Sequence, residues 1–139
     1  MSDVKTLIER EVGYKYISNR KREITRQDID VFVELFGVTH PAYQDDAAAK
    51  ELGFTRRVLP GPAHLPIVLG LLWPILSPKS IIVGTDKVVY LKPLYPGDIV
   101  SAEAELLRKR ETSSGNLLGT YLWSIKNQNG EVISHGQNT

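Results

Sequence analysis

The sequence contains no cysteine. That absence excludes disulfides, zinc thiolate sites and cysteine nucleophiles together. A charge surplus is also missing: 17 lysines and arginines stand against 16 aspartates and glutamates, for a net charge of +1. Such a balance points neither to nucleic acid nor to an anionic membrane surface. The one basic run, Arg20-Lys21-Arg22, is followed directly by Glu23 and has no interleaved aromatics, so it reads as a solvated edge. The apolar stretch Leu65–Leu76 is too short to span a bilayer and is interrupted by Pro66 and Pro74. The first residues, Met1 to Lys5, have no apolar run behind them, so no secretory signal is expected and the chain reads as cytoplasmic. No internal repeat or linker is visible. The three histidines are too scattered in sequence to suggest a metal site.

What is present is ordinary for a globular protein. At 139 residues, 42% hydrophobic and 24% charged, residues 1–139 are expected to form one domain with a real core. Lys5–Val12 suggests a loose N-terminal turn, and Gly13–Ser18 alternates weakly as a first strand. Thr25 is a good helix cap, with Asp28 placed to help the exposed amides. An amphipathic helix then runs through Ile29, Phe32, Val33, Leu35 and Phe36 until Gly37 ends it. Gln44-Asp45-Asp46 offers a second cap for a short alanine-rich helix, Ala47–Leu52, and Phe54–Leu59 reads as a loop.

The segment the rest is organised around is Leu65–Leu76. It is apolar on every face at helical spacing, so a helix buried on all sides is predicted, opened by Gly61 and Pro62 and bent or ended by Pro74. After Pro78 the texture changes to strands: Ile81–Leu91, Ile99–Leu107, Leu117–Lys126 and Val132–Gly136. Tyr95-Pro96-Gly97-Asp98 reads as a type II turn and Asn127–Gly130 as a hairpin turn. In Ile99–Leu107, Val100, Ala102, Ala104 and Leu106 share one face, and Ser101, Glu103 and Glu105 the other. Four such strands in a meander, after the helices, predict an α+β fold in which an antiparallel sheet curls around one long apolar helix.

This order resembles the hot-dog fold, and more narrowly the MaoC-like family of enoyl-thioester hydratases and 3-hydroxyacyl-thioester dehydratases. The likeness runs from about Gly13 to the end. Phe32–Asp45 resembles the family's helix followed by a Gly-Asp-x-Asn-Pro-x-His segment. Val58–Pro62 resembles its turn into the hot-dog helix, usually His-Gly-Met. Leu91–Asp98 looks like its Pro-x-x-x-Gly-Asp turn between long strands. The resemblance implies addition or removal of water next to a thioester. The aspartate and histidine of the first motif handle the water and its proton, and the glycine amide of the second holds the thioester oxygen.

Carried over by position, the chain departs at the dyad. Val38 stands at the aspartate position, Tyr43 at the histidine position and His40 at the asparagine position, while Pro41 and Asp45 match. Gly61 matches the oxyanion glycine, and Pro60 replaces the histidine before it. Valine cannot accept a proton, and a tyrosine with a pKa near ~10 is a poor base at neutral pH. In this the chain looks more like the degenerate halves of double hot-dog dehydratases, or the non-catalytic subunits of two-component ones.

His40 reads either as a substitute base or as a loop histidine bonded to backbone, and Tyr43 as a donor to the substrate or a packing residue. His64 either faces the pocket or satisfies a helix end. Asp45 reads as a helix cap, and Asp98 as part of its turn. The expected ligand is an acyl thioester of coenzyme A or acyl carrier protein, with no metal or redox cofactor. The expected assembly is a homodimer, or a heterodimer with another hot-dog chain. Two roles stay open: an enzyme with altered catalytic residues, or a non-catalytic subunit shaping the acyl pocket for a partner. A hot-dog thioesterase lacks an obvious acidic group in the pocket segments.

Overall fold

The computed structural model describes residues 5–139, so the reading of Met1 to Val4 lies outside the described residues. A 3-10 turn at Leu7–Glu9 leads into strand β1 (Lys15–Ile17) and a two-residue strand β2 (Arg22–Glu23). Helix α1 (Arg26–Phe36) is capped as the sequence predicts. Asp28 N donates to Thr25 Oγ1 and Thr25 N donates back to the Asp28 carboxylate, while Gly37 closes the helix at φ 69°. Two short helices follow, α2 (Pro41–Gln44) and α3 (Asp46–Glu51), and then α4 (His64–Leu72). A 3-10 turn precedes α4 at Gly61–Ala63 and another follows it at Trp73–Ile75, where Pro74 can no longer continue the helix. The remaining strands are β3 (Thr85–Tyr90), β4 (Ile99–Glu111), β5 (Leu117–Lys126) and β6 (Val132–Asn138).

The sheet is antiparallel throughout, in the order β1-β4-β5-β6-β3, with β2 also on β4. It curls around α4, as expected of a hot-dog fold. Val100, Ala102, Ala104 and Leu106 of β4 are buried against the helix, together with Trp123 and Ile125 of β5 and Val68, Leu71 and Leu72 of α4.

Three expectations need correction. Helix α4 is not buried all round: Pro62, Pro66, Gly70, Trp73 and Pro74 lie exposed along one side, and Leu69 is only half-buried. Their spacing of three to four residues makes one stripe, facing away from the sheet. The apolar residues on either side hid that stripe in the sequence, because proline, glycine and tryptophan tolerate water without marking it.

The strands are also not a simple four-strand meander. β3 pairs with β6 at the far edge, so Tyr95–Asp98 is a tight turn between strands that are not neighbours. Asp98 N donates to Tyr95 O at 3.1 Å and Gly97 takes φ 97°, the geometry a type II turn requires. Finally, β3 begins only at Thr85, and its pairing shifts register between Asp86 and Val89. Lys87 adopts a positive φ of 53° there, with its amide donating to the Asp86 carboxylate at 2.7 Å. Arg22, part of the basic run read as a solvated edge, pairs with Val100 on the short strand β2 and keeps its side chain partly exposed.

Candidate functional site

A cavity of about 660 Å³ opens at the N-terminal end of α4. Its wall comes from four places: the start and middle of α2, the segment Leu52–Leu59, the turn Gly61–His64, and the end of β3 with its following loop, Tyr90–Pro93. One arginine ties the first two together. Arg57 donates its backbone N–H to Asp46 at 2.9 Å and its Nε to the Tyr43 carbonyl at 3.0 Å, and its guanidinium pairs with Asp30 of α1. Val58 N donates to Ala42 O at 3.1 Å, and Leu59 N to Leu94 O at 2.9 Å, which brings the loop after β3 alongside.

Helix α2 was not anticipated. Its signal was present, a polar side chain followed by proline, which is tolerated at a first helical position. His40 is the cap: its Nδ1 accepts from Ala42 N at 3.1 Å, and its ring lies 5.1 Å from that of Tyr43 at 43°. Asp45 caps α3, accepting from Ala48 N at 3.1 Å, as the sequence predicts.

His40, Tyr43, Gly61 and His64 therefore line one cavity. Val38 and Pro60 are not among its lining residues. Val38 is half-buried in the loop before α2, and Pro60 is buried behind the turn, its carbonyl accepting from Ala63 N at 3.0 Å. Asp45 and Asp98 also lie outside the lining.

Gly61 sits where the Tyr90 ring presses on the backbone. A Cβ there would lie 3.1 Å from two ring carbons, so glycine is what lets the aromatic approach. Among the described residues, the Gly61 amide has no hydrogen-bond partner.

His64 is only 2% exposed, its Nδ1 is 2.8 Å from Ser134 Oγ, and its ring stands edge-on to Tyr90 at 5.0 Å. Burial pushes its pKa down to about 4, so the imidazole is neutral at physiological pH. Burial, and the neighbouring Tyr43, push the Tyr90 phenol above its ordinary value.

Sequence reasoning missed Tyr90 and Ser134. Ser134 had a signal: it lies with Gly136 and Asn138 on the inward face of β6, where polar residues are unusual. Tyr90 had none, because a tyrosine ending a strand is unremarkable. The cavity wall contains no carboxylate. Its one charged residue, Lys92, has its ammonium paired with Glu131. What the wall offers is therefore hydrogen-bond donors and apolar surface. Among the described residues, no group of three potential ligands is placed to hold a metal ion.

The pattern of the family described as FAS1-like, dehydratase domain region, matches residues 10–135. A UPF0336 protein of Streptomyces griseus is 25% identical over 129 residues, covering 88% of this chain and 85% of its own length. Among solved structures, a MaoC-like dehydratase from Rhodospirillum rubrum superposes with a TM-score of 0.82 at 24% identity, covering 96% of this chain and 92% of its own. The HadBC complex of Mycobacterium tuberculosis, a 3R-hydroxyacyl-ACP dehydratase, gives a TM-score of 0.82 at 20% identity, with 97% of each chain covered. These two show the fold, a hot-dog. With residues 10–135 of its 139 matched, and the curled sheet of a hot-dog in place, the chain belongs to the FAS1-like dehydratase-region family.

Proposed function

We propose that this chain binds an acyl thioester of coenzyme A or acyl carrier protein and works beside a catalytic hot-dog partner rather than as a self-sufficient hydratase. The observation that carries this is the cavity wall: it has the free Gly61 amide and apolar surface but no carboxylate. Hydration of an enoyl thioester needs a group to take a proton from water and a donor for the thioester oxygen as charge develops there. The second is present. For the first, Val38 and Tyr43 stand where the family has aspartate and histidine, and His40 spends its Nδ1 lone pair on Ala42 N. A neutral imidazole has one lone-pair nitrogen, so the remaining His40 nitrogen carries the proton and donates. That argues against His40 as a relocated base. A thioesterase is disfavoured for the same reason, the lack of an acidic group in the wall.

The partner reading draws on the open edge of β3. Val89, Tyr90 and Leu91 are exposed at its end, and an unpaired apolar edge favours a second chain. Tyr90 and Leu91 also line the cavity, so a unit docked on this edge would cover the cavity's side. A second copy and a different hot-dog chain both fit such an edge. Calorimetry with crotonyl-coenzyme A, together with light scattering across micromolar concentrations, tests both halves. Binding by a dimer supports the proposal. A strict monomer that binds no thioester, with or without a candidate partner chain, removes it.

A further inference from the structure

Two histidines face the cavity, and hydrogen bonds settle which nitrogen of each carries the proton. For His64 the deciding partner is Ser134. Its hydroxyl is fully buried and, among the described residues, has no partner other than His64 Nδ1. A hydroxyl has one proton to donate. If Nδ1–H donated to Oγ instead, the Ser134 proton would be left buried and unpaired, which costs more than the bond returns. Ser134 therefore donates to Nδ1, and the neutral ring keeps its proton on Nε2. Among the described residues, that Nε2–H has no protein acceptor, while the ring lines the cavity.

We infer that His64 is a substrate-positioning residue, whose Nε2–H, fixed by Ser134, joins the Gly61 amide in holding the thioester carbonyl oxygen. His64 follows Gly61 by three residues, across the 3-10 turn that enters α4, and both line the same cavity. The ring is nearly wholly buried and meets the outside only at the cavity, so an acceptor seated there is the partner its N–H can find. The low pKa adds that the ring keeps this single tautomer across the neutral range. Tyr90 holds the ring edge-on from the far side and closes over Gly61. The pocket is then specific for a carbonyl: an acyl thioester should bind better than the thioether of the same length, because the thioether leaves both donors unpaired.

This inference rests on the thioester reading above, and the test separates the two. Crotonyl-coenzyme A and S-butyl-coenzyme A, which lacks the carbonyl, are compared by calorimetry on the full chain and on H64F, H64Q and S134A, each checked for fold by circular dichroism. The chain should prefer the thioester. H64F should lose about threefold to tenfold of that preference, the worth of one hydrogen bond, and H64Q, which retains an N–H donor, should recover part of it. Nitrogen-15 spectra of the imidazole side chains should show His64 protonated at Nε2 in the unmodified chain, and a mixture of tautomers in S134A. An unchanged preference in folded H64F, or a proton found on Nδ1, overturns the inference while leaving the thioester reading standing. Failure of the unmodified chain to bind either ligand removes the thioester reading, and with it the role given to His64.

Discussion

The two ends of α4 carry cavities that differ in the side chains they offer. At the N-terminal end lies the 660 Å³ cavity, walled by His40, Tyr43, Gly61, His64 and Tyr90. At the C-terminal end a cavity of about 290 Å³ is lined mostly by apolar side chains, among them Leu7, Trp73, Leu76, Ile81, Leu106 and Tyr121. One helix of nine residues separates them. The difference follows from what a helix leaves open. Its first amides have no partner within the helix, so the N-terminal end attracts acceptors, and Pro62 removes one amide without cost. At the other end the chain tightens into the 3-10 turn Trp73–Ile75. His40 and His64 are thus gathered at one end of a helix that also carries core residues, and disturbing either should have separable effects.

The largest effect belongs to the core. Leu72, the last residue of α4, is fully buried, so Leu72→Ala should cost roughly 2–5 kcal/mol in denaturant melts. Leu69 is half-buried on the same helix and should cost less than half as much. Equal losses at the two positions would mean that the exposed stripe of α4 is covered in solution.

Next comes pH. His64 has its pKa lowered from 6.5 to about 4 by burial. Between those values the unfolded chain binds a proton that the folded one does not, so stability falls as pH drops from about 6.5 to about 4. The shift corresponds to roughly 3 kcal/mol, to be seen in melts across that range. H64F should show a shallower slope there, and an unaltered slope would assign the acid sensitivity to other groups.

Gly61→Ala is a smaller perturbation of the fold but a direct one of the polar end. Its Cβ would press on the Tyr90 ring at 3.1 Å, so a loss of about 1–3 kcal/mol is expected, with crotonyl-coenzyme A binding weakened as Tyr90 is displaced. The smallest effect is at the far end. Trp73 is 67% exposed, so Trp73→Ala should change stability by no more than about 0.5 kcal/mol and leave thioester binding as it was. Weakened binding in that variant would show that the two cavities act as one.

How much of this could be read from the sequence depends on how local the cause is. The capping of α1 and α3 by Thr25 and Asp45, the Pro96-Gly97 turn and the alternation of β4 were all legible, because each is decided within a few residues. The position of β3 beside β6 was not, since strand order is a long-range choice. The stripe on α4 escaped because its residues are apolar or neutral, and only its neighbours reveal which side lacks a cover. In the site, the chemistry-bearing loop residues His40 and Tyr43 and the helix-start residues Gly61 and His64 were recognisable by type and place. Tyr90, which lines the cavity from β3, and Ser134, which reaches the His64 ring from β6, were passed over, because the residues they meet lie far away along the chain.

The central claim is that this pocket receives a thioester but has no group to take a proton from water. It is tested most directly by the rate at which the purified chain hydrates crotonyl-coenzyme A at neutral pH, measured beside His40→Ala. With no general base, a factor of ~10² to 10⁴ in rate is forfeited. The unmodified chain should therefore hydrate slowly or not at all, and His40→Ala should be no slower. Robust hydration by the unmodified chain, abolished in His40→Ala, would contradict the account and make His40 the relocated base.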